Sequence, residues 1–417
     1  MVYTNNVPCG SYRAPGEPQA VFAVESHTDM IARDLGRDPY ELRLQNLVHE
    51  GDRSATGELF QHVRAEETLR SAAEAANWGG QKENPAKPSS RKGGKGAFVG
   101  RGIALGQRPA AGATSVARVT LDEYGRATLY SPVPDTGVGA HTIGRQVVAE
   151  DLGIPVENVG LVHLDTDAVP FDSGAGAATS RVAGHAALGA AQEVRRKLTG
   201  LAAEFYGWPE ERISFREGRV FVERDPDRGV PLRELAARAV AALGEPIAGE
   251  KTYHVDHAAV TSFCAQVAEV EVEPETGQVT VGKIVTSHDV GTIINPLGHQ
   301  GQIDGAVIQG LGYALIEELE SEEGRISTLS MGEAKIPTIQ DIPELVTVLL
   351  EDTTGTGPYK AKGIGENTIS PVAPAIANAV YDAVGVRIQD LPITAEMVLA
   401  AFAKRIVGGQ DGGKPLP

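Results

Sequence analysis

The feature that most constrains the fold is a motif that occurs three times along the chain: a predicted strand, a loop of small residues, and then the start of a helix. The copies read DTGVG at residues 135–139, SGAGAATS at residues 173–180 and KGIGE at residues 362–366. Helix N-termini present free N–H groups and a positive dipole end, so they bind anions, and glycine lets a ligand approach the backbone closely. Three such ends predict a binding site for a large polyanion.

Each loop alone is weak evidence, because glycine-rich turns also precede helices in ordinary connections between strands and helices. None of the three loops matches the GxxxxGK[ST] pattern of a phosphate-binding loop, and none forms a GxGxxG dinucleotide fingerprint in a strand–helix–strand unit. The local pattern therefore predicts several anion-ready loops and leaves the ligand open.

Hydrophobic periodicity predicts an alternation of helices and strands along most of the chain. The predicted helices cover residues 18–35, 65–76, 141–152, 182–206, 231–243, 301–319, 371–384 and 395–405, with a further helix that starts at Pro39 after the N-cap Asp38. The predicted strands cover residues 115–121, 127–131, 159–164, 265–272, 279–287 and 345–351, with a short hairpin around Gly218. We predict an α+β fold with mixed sheets, flanking helices and two subdomains.

Changes in composition divide the chain into four parts. Residues 79–100 are polar, basic and rich in glycine and proline, which is typical of an exposed linker. We predict a helical segment at residues 1–78 before it, a first α/β subdomain at residues 101–250 and a second α/β subdomain at residues 251–417. The DTGVG and SGAGAATS loops then belong to the first subdomain and the KGIGE loop to the second.

Charge and cysteine content exclude several classes of protein. The net charge of −17 disfavours nucleic-acid binding, because an acidic surface repels a phosphate backbone. The cysteines, Cys9 and Cys264, are too few for a disulfide scaffold or for a four-thiolate iron–sulfur cluster on this chain, and we expect both to be reduced and packed inside. Because the sequence contains no long apolar run and no signal peptide, we expect no membrane span and a cytoplasmic location.

Several segments resemble one family of enzymes, in the expected order and over nearly the whole chain. The loop YRAPGEPQ at residues 12–19 resembles the FRGFG-x-PQ loop of xanthine dehydrogenases and aldehyde oxidoreductases. GQIDG at residues 301–305, IQGLG at residues 308–312 and KGIGE at residues 362–366 resemble further motifs of that family. The chain thus resembles the C-terminal half of the molybdopterin-binding large subunit of these molybdenum hydroxylases.

The resemblance implies that the chain binds a molybdenum–molybdopterin cofactor, expected in its cytosine dinucleotide form, with no direct protein ligand to the metal. In the family, backbone amides, glutamines and an arginine hold this cofactor. Carried over by position, the cofactor-binding residues of this chain are Ser11, Tyr12, Arg13, Gly137, Val138, Gly139, Ala175, Gly176, Ala177, Ala178, Thr179, Ser180, Gln302, Gln309, Gly363 and Gly365. Whether Gln302 or Gln309 contacts the pterin stays open.

The resemblance also implies the catalytic residues. Glu366 matches the family's catalytic glutamate, and as a hypothesis it removes a proton from the oxygen nucleophile that attacks an electron-poor carbon of the substrate. Arg13 is expected to line the metal site from the first loop. A carboxylate at the start of a helix can also serve only to stabilise the helix dipole, but the surrounding match favours catalysis.

Two positions depart from the family pattern. Val138 stands where the family usually has glutamine, so one side-chain contact to the pterin is missing. Pro15 replaces the aromatic residue of the first loop, which puts the usual aromatic sandwich for purines in doubt. The loop also lacks the cysteine of copper–molybdenum carbon monoxide dehydrogenases, so oxidation of carbon monoxide is disfavoured.

The chain is shorter than the family's molybdenum subunit, and its opening methionine favours a split gene over a fragment. The resemblance therefore implies as partners a second molybdopterin-binding subunit with the missing half, a [2Fe-2S] iron–sulfur subunit, an FAD subunit and a second copy of the whole complex. We predict a molybdenum hydroxylase, inactive without its partners, that oxidises a nicotinate- or purine-like N-heterocycle or an aldehyde with water-derived oxygen. The alternatives are a reductase of aromatic acyl-CoA thioesters and a non-catalytic half-subunit.

Overall fold

The computed structural model describes residues 10–80, 97–110, 112–163, 165–256 and 258–408. The helices are α1 (Glu17–Asp34), α2 (Pro39–Gln45), α3 (Ala65–Ala75), α4 (Ala140–Leu152), α5 (Gly184–Tyr206), α6 (Leu232–Leu243), α7 (Pro296–Leu315), α8 (Met331–Ala334), α9 (Val372–Val384) and α10 (Ala395–Gly408). The strands are β1 (Phe98–Ala110), β2 (Ala113–Leu121), β3 (Ala127–Ser131), β4 (Val159–His163), β5 (Ile213–Arg216), β6 (Arg219–Val222), β7 (Asp225–Pro231), β8 (Ile247–Val255), β9 (Ala258–Val272), β10 (Val279–Asp289), β11 (Ser321–Glu322), β12 (Arg325–Ile326) and β13 (Glu344–Leu350).

Two four-stranded sheets carry the fold. The first sheet has the strand order β4-β3-β2-β8, and its strands β3 and β4 are parallel. The second sheet has the order β1-β9-β10-β13, in which β10 and β13 are parallel and the other neighbours are antiparallel. A smaller antiparallel sheet, β5-β6-β7, lies beside α4, α5 and α6. The predicted α+β fold with mixed sheets and flanking helices is confirmed.

Sequence periodicity does not predict β1, which lies in the ranges assigned to the linker and to the first subdomain. The strand pairs instead with β9 of the second sheet, from Phe98 opposite Val272 to Arg108 opposite Ser262. Its glycines interrupt the alternation of apolar side chains by which a strand is recognised. The second sheet therefore takes a strand from the range predicted for the first subdomain.

The glycines of β1 let a buried helix approach the second sheet closely. A Cβ atom at Gly102 would overlap the backbone of Ala375 and Ala379 in α9. α9 is buried along nearly its whole length, in a core that also includes side chains of α7, β9 and β10. Close packing of small residues thus fixes α9, the helix that follows the KGIGE loop.

A separate core lies between the first sheet and the helices α4, α5 and α6. The side chains of Ala187, Ala191, Val194 and Leu198 recur every three or four residues along α5, and all four are buried. This stripe packs α5 against β2 and β8. The predicted apolar periodicity of the helix is therefore borne out by its buried face.

The ends of the helices are set by local capping hydrogen bonds more than by the apolar pattern. Asp38 caps α2 as predicted, because its carboxylate accepts a hydrogen bond from the Tyr40 N–H at 2.7 Å. α7 begins before the predicted Gly301, because the Asn295 side chain caps it by accepting from the Gly298 N–H at 2.9 Å. It also ends earlier than predicted, and α5 is preceded by a π-helical turn that the pattern does not reveal.

The third copy of the repeated motif differs from the prediction in what precedes it. The first two loops follow β3 and β4, whereas the KGIGE loop follows an isolated bridge between Gly291 and Ala361 and a 3-10 turn at Pro358–Lys360. Between β13 and this turn, the Asp352 carboxylate accepts a hydrogen bond from the Thr354 N–H at 2.9 Å and turns the chain. The prediction of a strand directly before the third loop was therefore wrong.

Two expectations from composition concern the cysteines and membrane-spanning helices. Cys264 is buried in β9 as a free thiol, as expected, and burial raises its pKa to about 12. Cys9 and residues 81–96 of the predicted linker lie outside the described residues. Within the described part of the chain, no helix combines the length and the apolar composition that are needed to cross a membrane.

We expect Gly102→Ala to lower the free energy of unfolding by about 3 kcal/mol, because the added methyl group has no space between β1 and α9. Gly200→Ala is the matched control: Gly200 lies in α5 with no atom within 4 Å of a Cβ position, and alanine favours a helix by up to about 1 kcal/mol. Chemical denaturation measures both effects. A Gly102→Ala variant as stable as the unchanged protein would contradict the packing of α9 on β1.

Candidate active site

Two of the glycine-rich loops lie at one edge of the first sheet. Since β3 and β4 are parallel neighbours, their carboxyl ends lie side by side. The loops that follow are in contact: a Cβ atom at Gly174 would overlap the Val133 side chain, and the Asp172 N–H donates to the Pro132 carbonyl at 3.4 Å. The topology therefore brings the DTGVG and SGAGAATS loops together.

The DTGVG loop presents backbone N–H groups at the start of α4. Gly137 and Gly139 have positive φ angles of 82° and 76°, which glycine adopts without strain. The Asp135 carboxylate accepts a hydrogen bond from the Gly137 N–H at 3.1 Å. Gly139 is the N-cap of α4, no side chain caps this helix, and Val138 is 39% exposed. The first turn of α4 can therefore donate N–H groups to an anion.

The SGAGAATS loop is folded tightly onto itself. The Asp172 carboxylate accepts a hydrogen bond from the Gly174 N–H at 2.9 Å, and the Thr179 hydroxyl group donates to the Gly174 carbonyl at 2.6 Å. Ala177 has a φ angle of 56°, which is uncommon for a residue with a side chain. The predicted residues 175–180 thus form a strained loop of small side chains that leads into α5.

A buried ion pair holds the start of the KGIGE loop. The Lys362 ammonium group lies 2.7 Å and 2.8 Å from the two carboxylate oxygens of Asp289, at the end of β10. Both side chains are buried, and burial raises the pKa of Asp289 to about 6 against the opposing charge of Lys362. The Asp352 carboxylate lies 3.6 Å from the same ammonium group and 3.4 Å from the Arg64 guanidinium group. The loop is thereby fixed to the second sheet.

Buried polar side chains of β9 hold the rest of this loop. The Ser262 hydroxyl group donates to the Gly363 carbonyl at 3.2 Å and accepts from the Asn367 amide at 2.6 Å. The Gln266 amide nitrogen donates to the Thr368 carbonyl at 2.8 Å. These side chains satisfy backbone polar groups of a buried loop that lies outside the sheets and helices.

Gly363 brings the KGIGE loop against the SGAGAATS loop. A Cβ atom at Gly363 would lie 2.7 Å from the Ala177 carbonyl oxygen, so a larger residue does not fit there. Beside this contact, the Tyr359 hydroxyl group donates to the Val147 carbonyl of α4 at 3.3 Å. The three predicted loops therefore occupy one contiguous region, where the parts of the fold built on the two sheets meet.

Arg13 joins the first loop to the KGIGE loop and to α7. Its Nε atom donates to the Gly365 carbonyl, and its Nη2 atom donates to the backbone and side-chain oxygens of Gln302 at 3.2 Å and 3.0 Å. Burial lowers the pKa of Arg13, and the negative charge of Glu366 opposes this shift. The Gln302 side chain therefore lies beside the KGIGE loop, with its oxygen 3.9 Å from the Cβ position of Gly365.

Tyr12 packs the first loop against α7. Its hydroxyl group donates to the Gln309 carbonyl at 3.5 Å, and its ring stacks on Tyr313 with centroids 6.1 Å apart. Burial first, and then the charge of Glu317, raise the pKa of Tyr12 to about 12, so the phenol is neutral at physiological pH. Gln309 thus meets the first loop about 10 Å along the helix axis from Gln302.

The Glu366 carboxylate is held at both oxygens. Its Oε1 atom accepts a hydrogen bond from the Ala14 N–H at 3.3 Å, and its Oε2 atom accepts one from Nη2 of Arg108 at 2.7 Å. Arg108 comes from the end of β1 and also donates to the carboxylate of Glu17, the first residue of α1. Each carboxylate oxygen has a second acceptor position, so Glu366 can still take up a proton.

Arg108 and Glu17 are the residues of this cluster that sequence reasoning missed. Arg108 lies in the unrecognised strand β1, and no motif contains it. Glu17 follows the YRAPG loop directly, but nothing in the sequence pairs it with Arg108, which lies far along the chain. The only signal was the charge of Arg108 at the end of a run of mostly glycine and apolar residues.

The structure brings most of the predicted site residues together. Arg13 contacts Gln302 and Gly365, which places Tyr12 and Glu366, their neighbours in sequence, in the same cluster. Gly363 links this cluster to residues 175–180, and these lie against the loop that carries residues 137–139. Ser11 is exposed, and the Gln309 carbonyl group accepts a hydrogen bond from Tyr12.

The arrangement fits a large ligand with phosphate groups and a polar ring system. Gly137 and Gly139 leave open space where a Cβ atom would lie, next to the uncapped first turn of α4. On the other side of the region, the Gln302 amide nitrogen has no hydrogen-bond partner among the described residues, so it can donate to a ring acceptor. A pterin that carries a pyrophosphate has both kinds of acceptor.

Comparison with known proteins finds relatives over nearly the whole length of the chain. A family described as the molybdopterin cofactor-binding domain matches residues 71–343, and a second domain of the same description matches residues 1–47. The xanthine dehydrogenase molybdenum-binding subunit of Escherichia coli O157:H7 is 32% identical over 416 residues, which cover 96% of this chain and 54% of that subunit. The aldehyde oxidoreductase molybdenum-binding subunit of Escherichia coli (strain K12) is 33% identical over 407 residues, which cover 95% of this chain and 53% of that subunit.

Solved structures give the same result. The crystal structure of quinoline 2-oxidoreductase from Pseudomonas putida 86 matches with a TM-score of 0.87 at 25% identity, and the match covers 95% of this chain and 53% of that one. The chain therefore spans about half the length of the relatives it matches. The fold expected from the resemblance is confirmed.

Lys362→Met leaves Asp289 buried without its cation, and we expect the free energy of unfolding to fall by about 3–5 kcal/mol. The double variant Lys362→Met/Asp289→Leu removes both charges and is expected to recover most of that loss. Lys283→Met is the control, because Lys283 lies 4.0 Å from an exposed carboxylate, and such a pair contributes about 0–1 kcal/mol.

Urea denaturation followed by circular dichroism compares the three variants with the unchanged protein. If Lys362→Met lost no more stability than Lys283→Met, the buried pair would not be what holds the loop. If the double variant stayed as unstable as Lys362→Met, the loss would not come from the unpaired charge of Asp289.

Proposed function

We propose that this chain, which belongs to the molybdopterin cofactor-binding family of xanthine dehydrogenases and aldehyde oxidoreductases, forms the part of a molybdenum hydroxylase that contains the catalytic base. The observation that supports this most is the position of the Glu366 carboxylate, which is held at both oxygens next to Arg13 and Gln302. A role as a helix cap is less suitable, because α9 begins only at Val372.

The proposed reaction is the oxidative hydroxylation of an electron-poor carbon. A carbon–hydrogen bond of the substrate breaks, a bond forms between that carbon and an oxygen from water, and two electrons and two protons are released. When bound, the cofactor supplies the two-electron oxidation and the activation of that oxygen. The relatives are named for xanthine, aldehyde and quinoline, which supports an N-heterocycle, similar to nicotinate or a purine, or an aldehyde as the substrate.

In this proposal, Glu366 takes the proton of the oxygen nucleophile. The hydrogen bonds from the Ala14 N–H and from Arg108 orient the carboxylate and leave acceptor positions free on both oxygens. Arg13 is a half-buried cation beside the base, and it stabilises negative charge that develops at the reacting centre.

The three loops hold the cofactor, in the cytosine dinucleotide form expected from the family, without a protein ligand to the metal. The N–H groups of residues 137–139 and of residues 175–180 bind its phosphate groups, which is supported by the uncapped start of α4 and the strained turn at Ala177. Gln302, rather than Gln309, donates to the pterin, because the Gln302 side chain lies beside the KGIGE loop, whereas Gln309 contacts Tyr12 of the first loop. Ser11 and Tyr12, with the backbone at Gly363 and Gly365, line the remaining wall.

Partners complete the enzyme in this proposal. The region equivalent to the other half of the relatives closes the pocket, while subunits with [2Fe-2S] clusters and FAD accept the electrons, and the whole complex forms a dimer. Support comes from the segment between α7 and β13, which exposes many apolar side chains for a surface in water. These exposed residues are Leu319, Ile326, Leu329, Met331, Ile336, Ile339 and Ile342.

Glu366→Gln in the assembled complex tests the proposed base. The amide keeps the shape of the side chain but accepts no proton, so we expect kcat to fall by about 10²–10⁴-fold with the molybdenum content unchanged. Xanthine, quinoline and an aldehyde are the substrates to assay. Glu204→Gln, which changes an exposed glutamate of α5, is the matched control and keeps full activity. Full activity of Glu366→Gln would refute the proposed base, and a non-catalytic role would then remain.

A further inference from the structure

We propose that Arg108, held by Glu17, is a positioning residue that keeps the Glu366 carboxylate oriented as a base; this inference rests on the function proposed above. Arg108 lies at the end of β1 and bonds to two carboxylates at once. Its Nη2 atom donates to Oε2 of Glu366 at 2.7 Å, and its Nη1 atom donates to Oε1 of Glu17. Arg108 lies outside every motif that carries the family resemblance, so its part in the site comes from its contacts alone.

These contacts close a ring of hydrogen bonds around the base. The Ala14 N–H donates to Oε1 of Glu366 at 3.3 Å, and the Glu17 N–H donates to the Ala14 carbonyl at 2.9 Å. Arg108 then donates to both the Glu17 and the Glu366 carboxylates, which completes the ring. The last torsion angle of a glutamate is soft, so one hydrogen bond alone would leave the carboxylate free to turn. With both oxygens held, it cannot turn without breaking a bond.

Charge balance explains why Glu17 accompanies Arg108. The side chains of Arg108, Glu17 and Glu366 are 13%, 17% and 17% exposed, so their charges are poorly solvated and need partners. Burial raises the pKa of Glu17, and the hydrogen bond and charge of Arg108 oppose this shift. Burial lowers the pKa of Arg108, but the two carboxylates outweigh it and raise that pKa overall. With Arg13 included, the cluster has two positive and two negative groups and no net charge.

Arg13 cannot take over this task, although it is the other cation beside Glu366. Its Nε and Nη2 atoms donate to the Gly365 carbonyl and to Gln302, not to the carboxylate. Among the described residues, the other side chain with a hydrogen bond to the Glu17 carboxylate is Ser370, whose neutral hydroxyl group donates at 3.5 Å. Over the described ranges, Arg108 is therefore the one cation with a hydrogen bond to the base.

The test compares Arg108→Met, Arg108→Lys and Glu17→Gln in the assembled complex. We expect Arg108→Met to lower kcat by about 10–100-fold, the range found when the hydrogen-bond partner that orients a metal-binding side chain is removed. KM should change by less than about threefold, because substrate binding is not what is lost. The molybdenum content should stay the same. Arg108→Lys should restore part of kcat, and Glu17→Gln should have the smaller effect.

A second measurement does not depend on activity. Carbodiimide coupling of glycine ethyl ester to Glu366, followed by peptide mass spectrometry of the same complex, reports how freely this carboxylate reacts. Arg108→Met should speed the labelling of Glu366 several-fold, and labelling in Arg108→Lys should be slower than in Arg108→Met. Arg101→Met is the matched control: Arg101 lies on the same strand and pairs with Glu269 at 2.6 Å, away from the site. It should lower thermal stability without changing the kcat of the folded enzyme or the labelling of Glu366.

Unchanged kcat and unchanged labelling in Arg108→Met overturn the inference. An equal fall of kcat in Arg101→Met also overturns it, since the effect would then follow from lost stability. If Arg108→Met does not fold, the same two measurements, kcat and the labelling of Glu366, are made on Arg108→Lys and Glu17→Gln. Unchanged values in both variants would then overturn the inference. Failure of the proposed function is separate: Glu366→Gln would then keep its activity, while the labelling of Glu366 would still report whether Arg108 holds it.

Discussion

The buried contact between Lys362 and Asp289 is the interaction on which the rest of the site depends. It lies where β10 ends and where the KGIGE loop begins, and the ammonium group meets both carboxylate oxygens with almost no exposure to solvent. Since a charge at this depth is stable only beside its partner, the pair fixes the start of the loop to the second sheet. Gly363 then lies against the SGAGAATS loop, and Glu366 reaches Arg108. The contacts of Gly363 and Glu366 follow from that position of the loop.

The site consists mainly of backbone and small residues, with few functional side chains. Glycines allow the loops to touch each other and α9 to lie directly on β1. Backbone N–H groups at the start of α4 suit phosphate, because they are fixed by the helix and cost no ordering when the ligand arrives. In the proposed function, the chemistry is left to Glu366, with Arg13 and Arg108 as the cations beside it. This division agrees with the high glycine content of the chain and its low content of aromatic residues.

Much of the fold and the centre of the site could be predicted from local sequence, and the exceptions have physical causes. α5 was predicted because its apolar residues repeat at helical spacing, and Arg13 and Glu366 because they lie in contiguous motifs that resemble those of the family. β1 was missed because glycine, which makes room for α9, carries no periodic signal. Arg108 was missed because its contact with Glu366 spans 258 positions and exists only once β1 is aligned with β9. No local pattern encodes such a contact.

The central claim is that this chain holds a molybdenum cofactor in a complex that completes its pocket. Native mass spectrometry of the complex purified through this chain, with molybdenum quantified on the same sample, tests it most directly. We predict about one molybdenum per copy of the chain, together with a second molybdopterin-type polypeptide and iron–sulfur and flavin subunits. A lone chain without molybdenum, even after co-expression with its partners and the proteins that mature the cofactor, would contradict the account.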